Sequence, residues 1–483
     1  MERYLPRILI AGLSGGGGKT MVSMGLAAAW CARGRKIAVF KKGPDFIDAS
    51  WLSLAARRPC RNLDTYLMGE DGVRRSFSRY TSGVDAAVIE GNRGLFDGTD
   101  ASGTHSSARL ARLLGAPVVL VVDCTKSTRT VAASVLGCQK MDPDLALRGV
   151  ILNRLAGPRH AEVVERSIIE CCGLEVLGAL PRGGFPRLPE RHLGLVPTQE
   201  YGDVEGLIRA CRQSAEACLD IDALWSLAQD APPLPIDAQE PVEPARACDQ
   251  RVRVGVLMDS SFHFYYPENM EALEARGGEI VRVSPSHDAR IPQLDALYIG
   301  GGFPETHAAL LAENRSFRTS LRQAVEGGLP VYAECGGAMY LGNAIEVGGS
   351  TYPMVGVFPL VFRMHKRPQG HGYTLLEVDK KNPYFEVGTH LKGHEFHYSR
   401  VVSWGDDDLD FVCRVKRGWG FDGRREGLCH KGVFATFTHL HSSGEPRWAE
   451  ALVLNGLAYR RSARPAAGSP SEASEEHGAL SWL

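Results

Sequence analysis

The sequence predicts an α/β protein of two domains, each built around a largely parallel sheet. Two observations carry that expectation. Short β-branched runs alternate with longer amphipathic stretches from residue 7 to about 225, and the alternation restarts at residue 251. Between the two halves lies QDAPPLPIDAQEPVEPARACDQ (229–250), rich in Pro, Ala and acidic residues. Continuous apolar strands separated by helical segments belong to sheets covered on both faces. The expected layout is a first domain over residues 1–228, a linker over 229–250, a second domain over 251–461 and a disordered tail over 462–483.

In the first domain the runs ILIAG (8–12), KIAVF (36–40), AAVIE (86–90), PVVLVVD (117–123) and GVILN (149–153) read as strands. In the second, RVRVGVLMD (251–259), GEIVRVSP (278–285), DALYIGGG (295–302) and LPVYAEC (329–335) follow the same pattern, and GVFATFTHLH (432–441) reads as the last strand. The length of 483 residues would allow about three domains, but a single linker makes it two large ones.

Composition narrows the function classes. With 44% apolar and 23% charged residues the chain can bury large cores, so disorder is not its dominant state. Lys plus Arg total 55 against 56 Asp plus Glu, a net charge of −1, which argues against a nucleic-acid binder. No apolar run is long enough to span a bilayer, and the short stretch Ile8 to Leu13 runs into glycines and a lysine, as a first strand does and a signal peptide does not. The 12 cysteines include no C-x-x-C pair, so neither a disulfide framework nor a zinc pattern is indicated, and a cytoplasmic location is the simplest.

The first strand leads into AGLSGGGGKTMVSMG (11–25). Gly15, Gly16, Gly17 and Gly18 let backbone N–H groups curl around phosphate oxygens, Lys19 would reach the β- and γ-phosphates, and the Thr20 hydroxyl could bind Mg²⁺. The strict pattern wants glycine at position 13, where Leu13 stands; Gly12 lies one residue further out. Acids at or just after strand ends, namely Asp45 and Asp48 in FKKGPDFID and Glu90 and Asp97 in VIEGNRGLFDG, can converge on this loop together with Lys41. Each alone could be a solvated loop acid.

In the second half LPVYAE runs into Cys335-Gly336-Gly337. A cysteine on a strand-to-helix turn gains thiolate character from the helix dipole, and small residues after it free a backbone N–H for an oxyanion. The loop GGGFPE (300–305) could donate a second N–H, and His439 is the candidate base, with His441 expected on the same face. GHEFHYS (393–399) has two residues between its histidines, which fits strand-borne histidines on opposite faces and not a zinc-protease helix.

SGGGGKT, FKKGPDFID, RPCRNLDTYLM, EGNRGLFDG, GVILNRLAGPRH, GALPR, LPERHLGLVP, GGGFPE, ECGGAMYL, GHEFHYS and THLH occur in that order and cover the chain except linker and tail. In this the sequence resembles the cobyrinate a,c-diamide synthase family. The resemblance implies a P-loop, dethiobiotin-synthetase-like parallel-sheet ATPase domain fused to a flavodoxin-like class I glutamine amidotransferase domain. It implies ATP and Mg²⁺, glutamine, and a corrinoid or related tetrapyrrole polycarboxylate as partners, no nucleic acid, no membrane, and a homodimer as the candidate assembly.

By the same resemblance Cys335, activated by His439, would release ammonia from glutamine through a thioester. An acyl phosphate formed with ATP on a macrocycle carboxylate would take up that ammonia, and the cycle would repeat on a second carboxylate. Thr20, Asp45 and Glu90 would hold Mg²⁺, Asp48 and Asp97 would orient the carboxylate or ammonia, and Asn153 would read adenine. Arg61 and Asp64 fall in a segment near the macrocycle. Lys41, Lys42, Arg57, Arg58 and Arg61 are candidates for a local basic surface.

The sequence departs from the pattern at three places. His439-Leu440-His441 lacks the His-x-Glu of many class I glutaminases, leaving the group that orients His439 unidentified. Phe46 stands where the cobyrinate branch usually has Tyr, and Asn92-Arg93 where it often has Val-Met. The last two resemble relatives that amidate sirohaem or nickel-sirohydrochlorin, which stand as the alternative substrates. A cobyric acid synthase would show another motif order, and a non-catalytic P-loop switch would not need Cys335 and His439.

Overall fold

The computed structural model describes residues 2–463 apart from 187, 189, 192–193, 236–250 and 406–407. The first half holds a seven-stranded parallel sheet. Its strands are β1 (Arg7–Gly12), β2 (Ile37–Lys42), β3 (Arg61–Leu63), β4 (Ala86–Glu90), β5 (Val118–Asp123), β6 (Leu147–Leu155) and β7 (Glu175–Pro181), in the order β3-β2-β4-β1-β5-β6-β7. Both faces are covered, which is why the strands read as unbroken apolar runs. Ile8 and Ile10 pack with Trp30, Trp51 and Leu224 on one side, while Leu9 and Ala11 pack with Phe77, Leu110 and Val164 on the other.

The second half holds a ten-stranded mixed sheet. Its strands are β8 (Val252–Leu257), β9 (Gly278–Val283), β10 (Ala296–Ile299), β11 (Val331–Glu334), β12 (Gly370–Val378), β13 (His390–His397), β14 (Asp410–Arg417), β15 (Arg425–His430), β16 (Val433–Thr436) and β17 (His439–Leu440). The order is β9-β8-β10-β11-β16-β15-β14-β12-β13-β17; the first five run parallel and the rest pair antiparallel.

The expected single strand over 432–441 is in fact two. Phe437 and Thr438 separate β16 from β17, and β17 pairs with β13 at the far edge of the sheet. The sheet therefore curls until its antiparallel edge returns to the ends of the parallel strands, carrying His439 to the end of β11.

The expected linker also differs at its start. Gln229 closes the helix Ile221–Gln229, the Arg7 guanidinium donates to Pro232 O (2.7 Å), and Leu234–Pro235 pairs with Glu2–Arg3, so these residues are part of the first unit. Residues 236–250 of that linker and 464–483 of the expected tail lie outside the described residues, and the helix Arg447–Ala463 takes in the tail's first two.

The two halves meet through specific polar contacts. Tyr373 Oη donates to Asp64 Oδ2 (2.7 Å), Tyr66 Oη donates to Thr374 O (2.9 Å), and Arg61 pairs with Glu268 (3.7 Å) and Glu271. Among the described residues no helix is long and apolar enough to cross a membrane.

Candidate active site

The loop from Leu13 to Gly18 connects β1 to the helix Lys19–Ala32. Gly16 and Gly18 adopt left-handed φ values of 70° and 98°, which glycine tolerates without cost from a Cβ. At Gly18 a side chain is excluded twice over, because its Cβ would sit 2.3 Å from Asn153 Nδ2. Lys19 Nζ donates to Ser14 O (2.7 Å), and burial lowers the pKa of its ammonium, with Lys41 adding to the effect. The loop borders a cavity of about 780 Å³ whose lining includes Gly16, Thr20, Asp48, Asn153 and Arg182. Asn153, the expected adenine reader, lines this cavity but is engaged with the loop itself. Its amide nitrogen donates to Gly17 O (2.9 Å) and its Oδ1 accepts from Arg154 N (2.9 Å).

The expected metal ligand Glu90 and the expected orienting acid Asp48 converge on one lysine. Lys41 Nζ donates to Asp48 Oδ2 (2.6 Å) and Glu90 Oε1 (2.7 Å), and Thr20 Oγ1 donates to the same Glu90 oxygen (2.8 Å). Asp45 Oδ1 accepts the backbone N–H of Asp48 (2.8 Å). Three carboxylates around one ammonium leave excess negative charge in a buried place. Burial, then the neighbouring Asp48, lifts the Asp45 carboxyl to about 7, and burial raises Glu90 as well. Glu90 Oε2 is buried with no hydrogen-bond partner. An orphaned carboxylate oxygen beside a threonine hydroxyl suits Mg²⁺, which takes one or two carboxylates and completes its octahedron with phosphates and water. Among the described residues no three His, Cys, Asp or Glu side chains form a self-sufficient cage.

Several expected surface residues are placed differently. Lys41 is only 2% exposed and is an internal counter-ion, not part of a basic surface. Arg61 is buried at the contact between the two halves, where Glu268 and Glu271 hold it. Asp64 caps the following helix, accepting Tyr66 N and Leu67 N, and takes the Tyr373 hydroxyl. Their neighbour Asn62, which sequence reasoning passed over, donates to Gly43 O (2.8 Å) and Asp45 O (2.9 Å) and so fixes the acidic loop. Arg57 and Arg58 are exposed at the end of the helix Ile47–Ala56. Lys42 is buried and lines a second cavity of about 450 Å³ between the halves, with Arg93, Asp97, His371, Tyr373 and Arg417. Asp97 Oδ2 accepts Gly94 N (2.8 Å), so Asp97 faces this cavity and not the Lys41 cluster.

Cys335 sits between β11 and the short helix Gly336–Leu341 with φ 49° and ψ −103°, a strained conformation for a residue with a Cβ. Its N–H donates to Thr436 O (2.6 Å), tying the turn to β16. Three glycines let the parts approach. A Cβ on Gly301 would lie 2.5 Å from His439 Cε1, one on Gly336 would lie 3.2 Å from Gly302 N, and one on Gly337 would lie 2.5 Å from Ile299 O. The strip Gly301–Gly302 thus bridges the nucleophile turn and the base. The expected lowering of the thiol pKa does not occur. Burial raises it, with Glu305 next, and a six-residue helix has too little dipole to reverse that. The thiol proton therefore has to be taken by a base.

His439 is held by a residue the sequence did not flag. Its Nδ1 lies 3.2 Å from Glu334 Oε2, and Glu334 Oε1 accepts Leu440 N (3.1 Å). Tyr298 Oη donates to Glu334 Oε2 (3.1 Å). The other histidines separate as strand residues do. His394 stacks on His439 (4.9 Å between ring centroids), while His397 stacks on Phe437 (4.0 Å) and meets Ser399 O through Nδ1 (3.0 Å). His441, expected on the face of His439, packs on Tyr266 (4.6 Å between ring centroids) and lies buried 3.8 Å from Glu268, where burial lowers it to about 3.

Phe46, from the acidic loop of the first half, rests on this site. Its ring centroid is 5.4 Å from that of His439, 5.7 Å from His394, 4.6 Å from Tyr266 and 5.1 Å from Phe264.

A phosphate loop on a parallel sheet, joined to a cysteine turn that the Gly301–Gly302 strip connects to a carboxylate-held histidine, defines a nucleotide-binding domain coupled to a glutamine amidotransferase domain. Residues 8–196 match the CobQ/CobB/MinD/ParA nucleotide binding domain, and residues 253–446 match the CobB/CobQ-like glutamine amidotransferase domain. The chain is 42% identical to a cobyrinate a,c-diamide synthase of Magnetococcus marinus, covering 94% of this chain and 97% of that one. It is 40% identical to the protein of that name from Archaeoglobus fulgidus, over 94% and 98% of the two chains. The solved structure of PurLQS from Thermotoga maritima covers 44% of this chain and 100% of its own at 18% identity, with a TM-score of 0.34. The chain belongs to the cobyrinate a,c-diamide synthase family, and is a glutamine-hydrolysing carbon–nitrogen ligase of that type.

Proposed function

We propose that the protein amidates the a and c side-chain carboxylates of cobyrinate, or of hydrogenobyrinate, in the cytoplasm, using ATP and glutamine and passing through acyl phosphates. The observation that carries this reading is the contact of Phe46 with His439: the loop bearing Asp45 and Asp48 abuts the glutaminase base, so both half-reactions have a common boundary. The names of the relatives support the substrate.

In the glutaminase half His439 takes the Cys335 proton as sulfur bonds to the glutamine carboxamide carbon, and returns it to the leaving nitrogen as ammonia departs. Water then cleaves the thioester to glutamate and free thiol. Glu334 holds the imidazole with Nδ1 protonated, so that Nε2 is the base. Backbone N–H groups of the Gly301–Gly302 strip and of the turn after Cys335 would receive the oxyanion.

In the other half Gly15 to Lys19 would cradle the triphosphate, and Asn153 would contact the adenine face of the same cavity once released from the loop. Thr20, Asp45 and Glu90 would hold Mg²⁺, which when bound neutralises phosphate charge. The macrocycle would lie in the cavity between the halves, its carboxylates met by Lys42, Arg93 and Arg417. A carboxylate oxygen attacks the γ-phosphorus and ADP leaves; ammonia then attacks the acyl carbon and phosphate leaves. Asp48 and Asp97, on either side of the loop, would orient the ammonia and the carboxylate.

The test is incubation of enzyme, Mg²⁺, ATP and glutamine with cobyrinate and, separately, with sirohaem, read by mass spectrometry. Conversion of two carboxylates to amides on cobyrinate is expected. Amidation of sirohaem alone would transfer the chemistry to the branch that Asn92-Arg93 resembles, and no amide on either would overturn the proposal.

A further inference from the structure

From the packing of one ring we infer that Phe46 is the gate between the glutaminase and synthetase sites, admitting ammonia from Cys335 when the acidic loop is occupied. This rests on the function proposed above.

Three observations converge on Phe46. Its ring is inserted from the first half among four rings of the second, touching Phe264, Tyr266, His394 and His439. Its chain neighbours face the other way: Asp45 lines both cavities beside the loop, and Ile47 and Asp48 line the phosphate-loop cavity. The ring therefore stands between the glutaminase base it touches and the acids of its own loop, which border the phosphate-loop cavity. The surrounding rings also suit the cargo. Tyr266 Oη meets His394 Nδ1 (3.3 Å), and burial disfavours the charged imidazole, so His394 is no acid for the passing ammonia.

The loop can transmit occupancy because it is held at both ends. Asn62 clasps the carbonyls of Gly43 and Asp45, and Asp48 is bound to Lys41. A cation drawn to Asp45 and Asp48 would pull on the intervening residue. Phe46 is half-buried at the edge of a hydrophobic core, so moving its ring costs less packing than moving a fully buried one.

The experiment compares wild type with Phe46→Ala, Phe46→Leu and Phe46→Tyr. With glutamine, ATP, Mg²⁺ and cobyrinate, the wild type should form one glutamate per amide. Phe46→Ala should form several-fold more glutamate than amide, Phe46→Leu an intermediate excess, and Phe46→Tyr should restore coupling. With ¹⁵N-ammonium added beside unlabelled glutamine, label should enter the amide of Phe46→Ala far more than that of wild type. A second arm needs no macrocycle: glutamine hydrolysis by wild type should change several-fold on adding ATP and Mg²⁺, and that response should vanish in Phe46→Ala. Coupling, isotope origin and nucleotide response all equal to wild type in Phe46→Ala and Phe46→Leu would overturn the gate. Failure of wild type to amidate cobyrinate even from ammonium would defeat the proposed substrate instead, leaving the hydrolysis arm to decide on Phe46.

Discussion

Nδ1 of His439 lies 3.2 Å from Oε2 of Glu334, the residue immediately before the nucleophile in the chain. The carboxylate that steadies the base is thus supplied from the nucleophile's own strand, not from two residues after the histidine. Glu334→Gln should keep the fold, because an amide oxygen can still accept Leu440 N, but it removes the charge that favours the imidazolium. Glutamine hydrolysis should fall on the order of 10²-fold in kcat, with ammonium-dependent amidation unchanged. Equal hydrolysis rates would remove Glu334 from the triad.

The approach of Gly301 to His439 gives a steric test. Gly301→Ala places a Cβ 2.5 Å from His439 Cε1, closer than the atoms can approach, so the ring must shift. Misplacement by about 1 Å costs roughly 10²-fold. Steady-state hydrolysis should show that loss, and ammonium-dependent amidation should not.

Lys41 tests the acidic cluster. Lys41→Met leaves Asp48 and Glu90 without their buried counter-ion. Removing one partner of a buried pair costs about 3–5 kcal/mol, so denaturant midpoints should fall markedly at neutral pH. Mg²⁺ with ATP should recover part of the loss by binding the native state. An unchanged midpoint would mean that the cluster is not electrostatically strained.

Much of this was legible in the sequence, for identifiable reasons. Strands buried on both faces write themselves as apolar runs, and glycines that permit close approach stand next to the functional residues, as around Lys19 and Cys335. What was not legible depends on pairing between distant segments. Glu334 reads as an ordinary strand residue until the curled sheet brings β17 to it. Lys41 and Arg61 look like surface bases because a buried carboxylate partner of each lies far away in the chain: Glu90 for Lys41, Glu268 in the other half for Arg61. The break at Phe437 and Thr438 is apolar and β-branched, so nothing local announces it.

Glu426 supplies a pH test. Burial raises its carboxyl from 4.5 to about 8, although Thr436 Oγ1 and Phe437 N donate to it. The folded protein therefore binds this proton more tightly than the unfolded chain does, and stability falls as pH rises from about 4.5 to about 8. Below that window the group contributes no slope. Glu426→Gln removes the titration, so its thermal midpoint should lose less than the wild type between pH 5 and pH 8.5. Parallel curves would show that Glu426 ionises normally.

The central claim is that two sites share the work, Cys335 releasing ammonia that the synthetase half consumes. The most direct measurement is amide formation by Cys335→Ala with either glutamine or ammonium as nitrogen donor, under ATP and Mg²⁺. The expected result is complete loss with glutamine and wild-type rates with ammonium. A variant that still used glutamine at the wild-type rate would contradict the assignment of the nucleophile and the two-site scheme with it.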